Sequence, residues 1–140
     1  MCATGAVLAG PPVEVTFKNL GTQVATYKVI TQNEALTYAH STGRPDANVA
    51  AGDTNTYNVQ IPLNPDANAA NVRYTIGNKT CVFTTTFINQ VAPGGLFPGA
   101  GAKIPRWNKT ADSSGGALCS ATIKSQNFSD FSWTVEFTMK

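Results

Sequence analysis

Residues that could catalyse a reaction are few in this chain. The only histidine is His40, and neither a Gly-x-Ser-x-Gly segment nor a suitable Cys–His arrangement accompanies it. A serine or cysteine nucleophile needs a neighbouring base that takes its proton. We therefore expect His40 to be an exposed side chain at the end of a strand or helical turn.

The eight acidic residues also form no recognisable catalytic pair. Glycoside hydrolysis requires two carboxyl groups on either side of the bond that breaks. Glu14 and Glu136 occupy the polar side of apparent strands, where solvent would surround them. Five aspartates lie next to Gly, Pro, Asn or Ser, as turn residues do: Asp46, Asp53, Asp66, Asp112 and Asp130. The sequence thus predicts that the protein is not an enzyme.

Metal and cofactor sites lack their usual ligand patterns. Cys81 and Cys119 are far apart and are not accompanied by the clustered His and Cys residues that bind zinc. Loop acids such as Asp46 and Asp112 offer oxygen ligands, but their spacing is not that of a calcium-binding loop. The glycine-rich segment 94–101 does not follow the phosphate-binding Gly-Lys pattern. We expect no metal and no cofactor.

The two internal cysteines are instead candidates for a disulfide bond. Cys81 and Cys119 both lie in apparent strands, and a bond would close a loop of nearly forty residues, stabilising the fold by about 3–4 kcal/mol in the chain-entropy model. Two buried free thiols, packed as small hydrophobic side chains, are the alternative. The low charge and the abundance of Thr and Asn favour the bond, and with it a secreted or surface location.

Hydrophobic and aromatic residues outside the most regular strands carry the remaining functional signal. Leu96 and Phe97 lie in a Gly/Pro-rich segment, Arg106 precedes Trp107, and Tyr38 lies in a short apolar segment. Aromatic side chains can stack on sugar rings or lie at a lipid interface. The alternative is that they cover the open ends of the core. We predict that these five residues bind a glycan, a lipid surface or a protein.

Composition excludes several further classes. The chain has 140 residues with a net charge of +2 and 13% charged residues, and it has no basic run of the kind that nucleic-acid binding uses. No segment approaches the ~20 apolar residues that a membrane helix needs. Residues 1–12 are apolar but lack the basic start of a signal peptide. We expect a flexible N-terminal arm there and a single domain over residues 13–140.

Alternation of apolar and polar residues predicts an all-β fold. About seven to eight strands are expected, within Val13–Asn19, Val24–Gln32, Thr54–Leu63, Val72–Ile76, Thr80–Asn89, Lys103–Trp107, Ala117–Ser125 and Ser132–Lys140. Such a series favours an antiparallel β-sandwich, with a β-barrel or jelly roll as the alternative.

Three details of this pattern can be tested. The first two strands are expected to form a hairpin, because a short turn at residues 20–23 separates them. Asn33–His40 is the only candidate helical segment. Pro105 is expected to interrupt the strand around it, because proline has no N–H to donate.

Three functions remain compatible with this sequence. The first is a non-enzymatic, secreted or surface-exposed recognition module. The second is a self-assembling structural subunit of a shell, fibre or appendage, which the low charge and the Ala/Gly/Thr/Asn-rich composition would suit. The third is a membrane-active toxin component of the β-sandwich type, supported only by length, β content and low charge.

Overall fold

The structure, a computed structural model, describes residues 9–91 and 103–140. Two of the predicted binding residues, Leu96 and Phe97, lie outside the described residues, and so does most of the predicted arm. Within the described residues, no helix has the length and hydropathy to cross a membrane.

Two five-stranded sheets pack face to face, so the predicted all-β sandwich is confirmed. The first sheet has the order β3 (Ser41–Thr42), β5 (Thr54–Val59), β1 (Val13–Asn19), β10 (Trp133–Met139) and β9 (Cys119–Gln126). The second has the order β4 (Asn48–Val49), β2 (Ala25–Lys28), β6 (Ala67–Ile76), β7 (Lys79–Val91) and β8 (Lys103–Ser114). Neighbouring strands are antiparallel except β1 and β10, which are parallel.

Side chains that alternate along the strands fill the space between the sheets. Phe17 of β1 stacks on Tyr74 of β6 with ring centroids 3.6 Å apart, and Phe83 of β7 stacks on Phe137 of β10 at 4.6 Å. Each pair joins one sheet to the other. The aromatic residues of the regular strands therefore form the centre of the core.

The predicted disulfide bond is confirmed and also joins the two sheets. Cys81 lies in β7 and Cys119 at the start of β9, and their Cα atoms are 5.7 Å apart. A disulfide bond is compatible with a location outside the reducing environment of the cytosol.

The helical segment is confirmed as α1 (Gln32–Ala39), which packs beside β6. Thr31 and Glu34 form a capping box at its start, in which each side chain accepts from the other residue's backbone N–H. The carboxylate of Glu34 also receives three hydrogen bonds from Arg73 of β6, at 2.9–3.2 Å. This ion pair fixes the helix beside β6, where the Thr37 hydroxyl also accepts from the backbone N–H of Asn71.

The predicted hairpin of the first two strands is wrong. β1 pairs with β5 and β10, whereas β2 pairs with β4 and β6 in the other sheet. The turn at 20–23 instead carries the chain from one sheet to the other. Asn19 stabilises this crossing, because its buried amide donates to the carbonyls of Gln23 and Val49 and accepts from Gly21 N–H.

The strand around Pro105 is also longer than predicted. It continues without interruption from Lys103 to Ser114 and pairs with β7 along its whole length. β8 is the edge strand of its sheet, and an edge strand tolerates proline because one row of its backbone N–H groups has no ladder partner.

Candidate functional site

A cleft of about 640 Å³ opens at one end of the first sheet, which is within the size range of ligand pockets. It lies where β10 begins and β9 ends, beneath the connection that joins them. The residues that line it are mostly polar, with two aromatic residues among them: Pro12, Glu14, Asn58, Ser125, Gln126, Asn127, Phe128, Ser132, Trp133 and Thr134.

A row of four polar side chains crosses the first sheet into this cleft. Glu14 of β1 pairs with Asn58 of β5 on one side and with Thr134 of β10 on the other. Thr134 in turn pairs with Ser125 of β9, and the two hydroxyl oxygens are 2.8 Å apart. With strands ~4.8 Å apart, the row spans about 14 Å.

The connection between β9 and β10 is held by its own hydrogen bonds. The Asn127 side-chain oxygen accepts from the backbone N–H groups of Ser129 and Asp130, at 2.7 and 3.2 Å. Asp130 accepts from the hydroxyl and N–H of Ser132, and these bonds lower the pKa of its carboxyl. Phe131 adopts a positive φ of 66° between them. The connection thus presents Phe128 from a braced turn.

Phe128 is the aromatic residue of the cleft that solvent can reach. Its side chain is 69% exposed, and its ring meets the Trp107 ring edge-on at a centroid distance of 5.3 Å. Trp107 packs in turn against Phe87, and its indole N–H donates to the Phe131 carbonyl. A rigid aromatic cluster therefore supports an exposed ring.

Trp133 also lines the cleft, but its side chain lies on the core side of β10, opposite to that of Thr134. It is only 2% exposed, and its indole N–H donates to the Thr85 hydroxyl at 2.9 Å. The Thr85 hydroxyl in turn donates a hydrogen bond to the carbonyl of Asn108 in β8. These two bonds satisfy the indole N–H and the Thr85 hydroxyl and fix the position of the indole in the core.

Three of the predicted binding residues, Tyr38, Arg106 and Trp107, lie in the described part of the chain, and the structure does not bring them together. Arg106 and Trp107 are consecutive in β8, so their side chains lie on opposite faces of the sheet, and Arg106 is exposed. Tyr38 lies on α1, where its ring packs beside Tyr27 of β2 and beneath the Arg44 guanidinium. β6 and β7 separate that cluster from β8.

Tyr27 has a buried hydroxyl without a hydrogen-bond partner among the described residues. Burial raises its pKa, and the nearby Glu34 carboxylate adds to the effect. The phenol therefore stays protonated at physiological pH and serves as packing between α1 and the second sheet.

None of the residues that line the cleft is among the five binding residues predicted from the sequence. Glu14, Asn58 and Ser125 are ordinary polar positions of alternating strands, and only the pairing register places them in one row. Phe128 could have been predicted as a binding residue, because this aromatic side chain interrupts a polar segment between Asn127 and Ser129.

Among residues 9–91 and 103–140, no group of three or more His, Cys, Asp or Glu side chains is placed to hold a metal ion. The cleft offers hydroxyl, amide and carboxylate groups, which can exchange hydrogen bonds with a polar ligand. Comparison of the chain with protein-family models, with curated proteins and with solved structures finds no match.

Proposed function

We propose that this protein is a secreted or surface-exposed recognition module that binds a glycan in the cleft beside Phe128, without chemical turnover. The observation that carries the proposal is the combination of an exposed aromatic ring with a row of polar side chains in one concave site. Binding sites typically join apolar surface to a few placed polar groups.

Sugars complement both the aromatic ring and the row of polar side chains in the cleft. A pyranose ring has an apolar C–H face, which can lie on an aromatic ring, and a rim of hydroxyl groups that donate and accept hydrogen bonds. The amide of Asn58, the carboxylate of Glu14 and the hydroxyl of Thr134 are suitable partners for such hydroxyls. The row of about 14 Å extends beyond a single sugar ring and favours an oligosaccharide.

The same geometry disfavours the other ligand classes. A lipid surface is usually met by several exposed apolar side chains together with Lys or Arg, whereas the cleft lining has one exposed aromatic residue and neither Lys nor Arg. A protein partner usually covers a broad patch of about 800 Å². A narrow polar cleft suits a chain of sugars better.

A glycan array followed by calorimetric titration of its strongest binder tests this function. Phe128→Ala should weaken binding at least tenfold, because the ring supplies the apolar contact, while leaving the melting temperature nearly unchanged. Leu118→Ala is a matched control, because Leu118 is 67% exposed at the opposite end of the sandwich. The proposal fails if no glycan binds, or if both variants bind as tightly as the original protein.

A further inference from the structure

We infer that the cleft selects neutral glycans over acidic ones and that Glu14 determines this selectivity; the inference rests on the glycan-binding function proposed above. Glu14 is the only charged residue among those that line the cleft. It lies near the middle of the polar row, with Asn58 on one side and Thr134 on the other.

No cation of the described residues neutralises this carboxylate through an ion pair. The next charged side chain along β1, Lys18, is bound to Glu136 at 2.8 Å. The other two ion pairs join Arg73 to Glu34 and Lys103 to Asp66, away from the first sheet. The lining of the cleft therefore carries one negative charge and no positive one.

The hydrogen-bonding groups around Glu14 determine which ligand groups can bind next to its carboxylate. The Ser125 and Thr134 hydroxyls bond to each other, and an amide such as Asn58 offers donors and an acceptor without charge. A carboxylate can only accept, so Glu14 favours ligand groups that donate, such as hydroxyl or acetamido groups. A sulfate or carboxylate above the row would lie about 5 Å from Glu14 and would be repelled.

The fixed position of Glu14 in the polar row makes it suited to select ligands by charge. Glu14 is fixed to a central strand that pairs on both sides, so its backbone cannot move aside. A repelled group must therefore shift along the row and lose contact with Phe128. Binding of an acidic glycan would lose the apolar and the polar contacts together.

The test compares neutral hexose and N-acetylhexosamine oligomers with uronate and sulfated oligomers of the same length, at low salt. The original protein should bind the neutral oligomers more tightly, and Glu14→Gln should narrow the ratio of the two dissociation constants by about fivefold. Asp112→Asn removes the same charge from exposed β8 and should leave the ratio unchanged.

Any other result overturns the inference, and the results distinguish a failure of charge selection from a failure of glycan binding. If acidic oligomers bind as tightly as neutral ones, or if Glu14→Gln leaves the ratio unchanged, the charge selection is refuted while glycan binding stands. If no oligomer of either kind binds, the proposed function and the inference both fail.

Discussion

Glu34 shows how one buried side chain can fix an element to the sandwich. It is only 2% exposed, and it accepts hydrogen bonds from Arg73 and from the backbone N–H groups of Ile30 and Thr31. Burial by itself would raise the pKa of its carboxyl, but these bonds to the charged form outweigh burial, and the pKa is lowered.

Replacement of Glu34 by Gln should lower the free energy of unfolding by about 3 kcal/mol at pH 7, because Arg73 loses its charged partner. Because the folded pKa of Glu34 is lowered, its contribution is complete above its unfolded pKa of about 4.3 and is lost as the pH falls through the folded value. Urea unfolding at pH 7 and pH 3 should therefore show a smaller difference between the two proteins in acid.

Asp66→Asn is the control for this prediction. Its ion pair with Lys103 is exposed on both sides, and exposed pairs contribute about 0–1 kcal/mol. A loss for Glu34→Gln no larger than that of the control, or one that does not shrink at pH 3, would show that the buried pair does not hold α1.

The turn between β8 and β9 shows where an element depends on glycine. Gly115 and Gly116 have φ values of +66° and +84°, in the region that L residues disfavour. A Cβ on Gly115 would meet the carbonyl of Asn78 in the neighbouring turn, whereas a Cβ on Gly116 would meet nothing within 4 Å. A side chain at either position would strain the backbone, but only one at Gly115 would also clash with a neighbouring carbonyl.

Gly116→Ala should therefore cost about 1–2 kcal/mol, from backbone strain alone. Gly115→Ala should cost a further ~1–3 kcal/mol, because a backbone carbonyl must move. Chemical denaturation of both variants measures the difference. Equal losses would mean that the turns at 78 and 115 are not in contact.

The elements were predictable where alternation was regular, as in β1 and β10, because one face of each strand is buried. The sheet to which a strand belongs was not, because pairing depends on contacts between distant segments. Local sequence therefore predicts a hairpin of β1 and β2 and an interruption of β8 at Pro105, and both predictions are wrong. The cleft depends on the register of four strands, which local sequence does not encode.

At the scale of the whole molecule, the Cys81–Cys119 bond is a covalent link between the two sheets. It joins positions 38 residues apart in sequence. Replacing both cysteines by Ala should lower the free energy of unfolding by about 4 kcal/mol, mainly because the unfolded chain gains freedom. Denaturation of this variant and of the reduced original protein should show similar losses, and a loss below ~1 kcal/mol would contradict the chain-entropy explanation.

A self-assembling subunit could associate by pairing an edge strand of the sandwich with another copy. β8 is a long edge strand, but it carries Pro105 together with Lys103 and Lys109. Proline and lysine on an edge discourage pairing with another chain. We therefore expect a monomer in sedimentation at micromolar concentration, and a defined oligomer there would favour the structural role instead.

The most direct test of the account is a map of backbone NMR shifts during titration with the strongest glycan from the array. The account predicts that the largest shifts fall on the cleft, at Glu14, Asn58, Ser125, Phe128 and Thr134. Shifts concentrated instead around Tyr38 and Arg44, or around Leu118 at the opposite end, would contradict a binding site in this cleft.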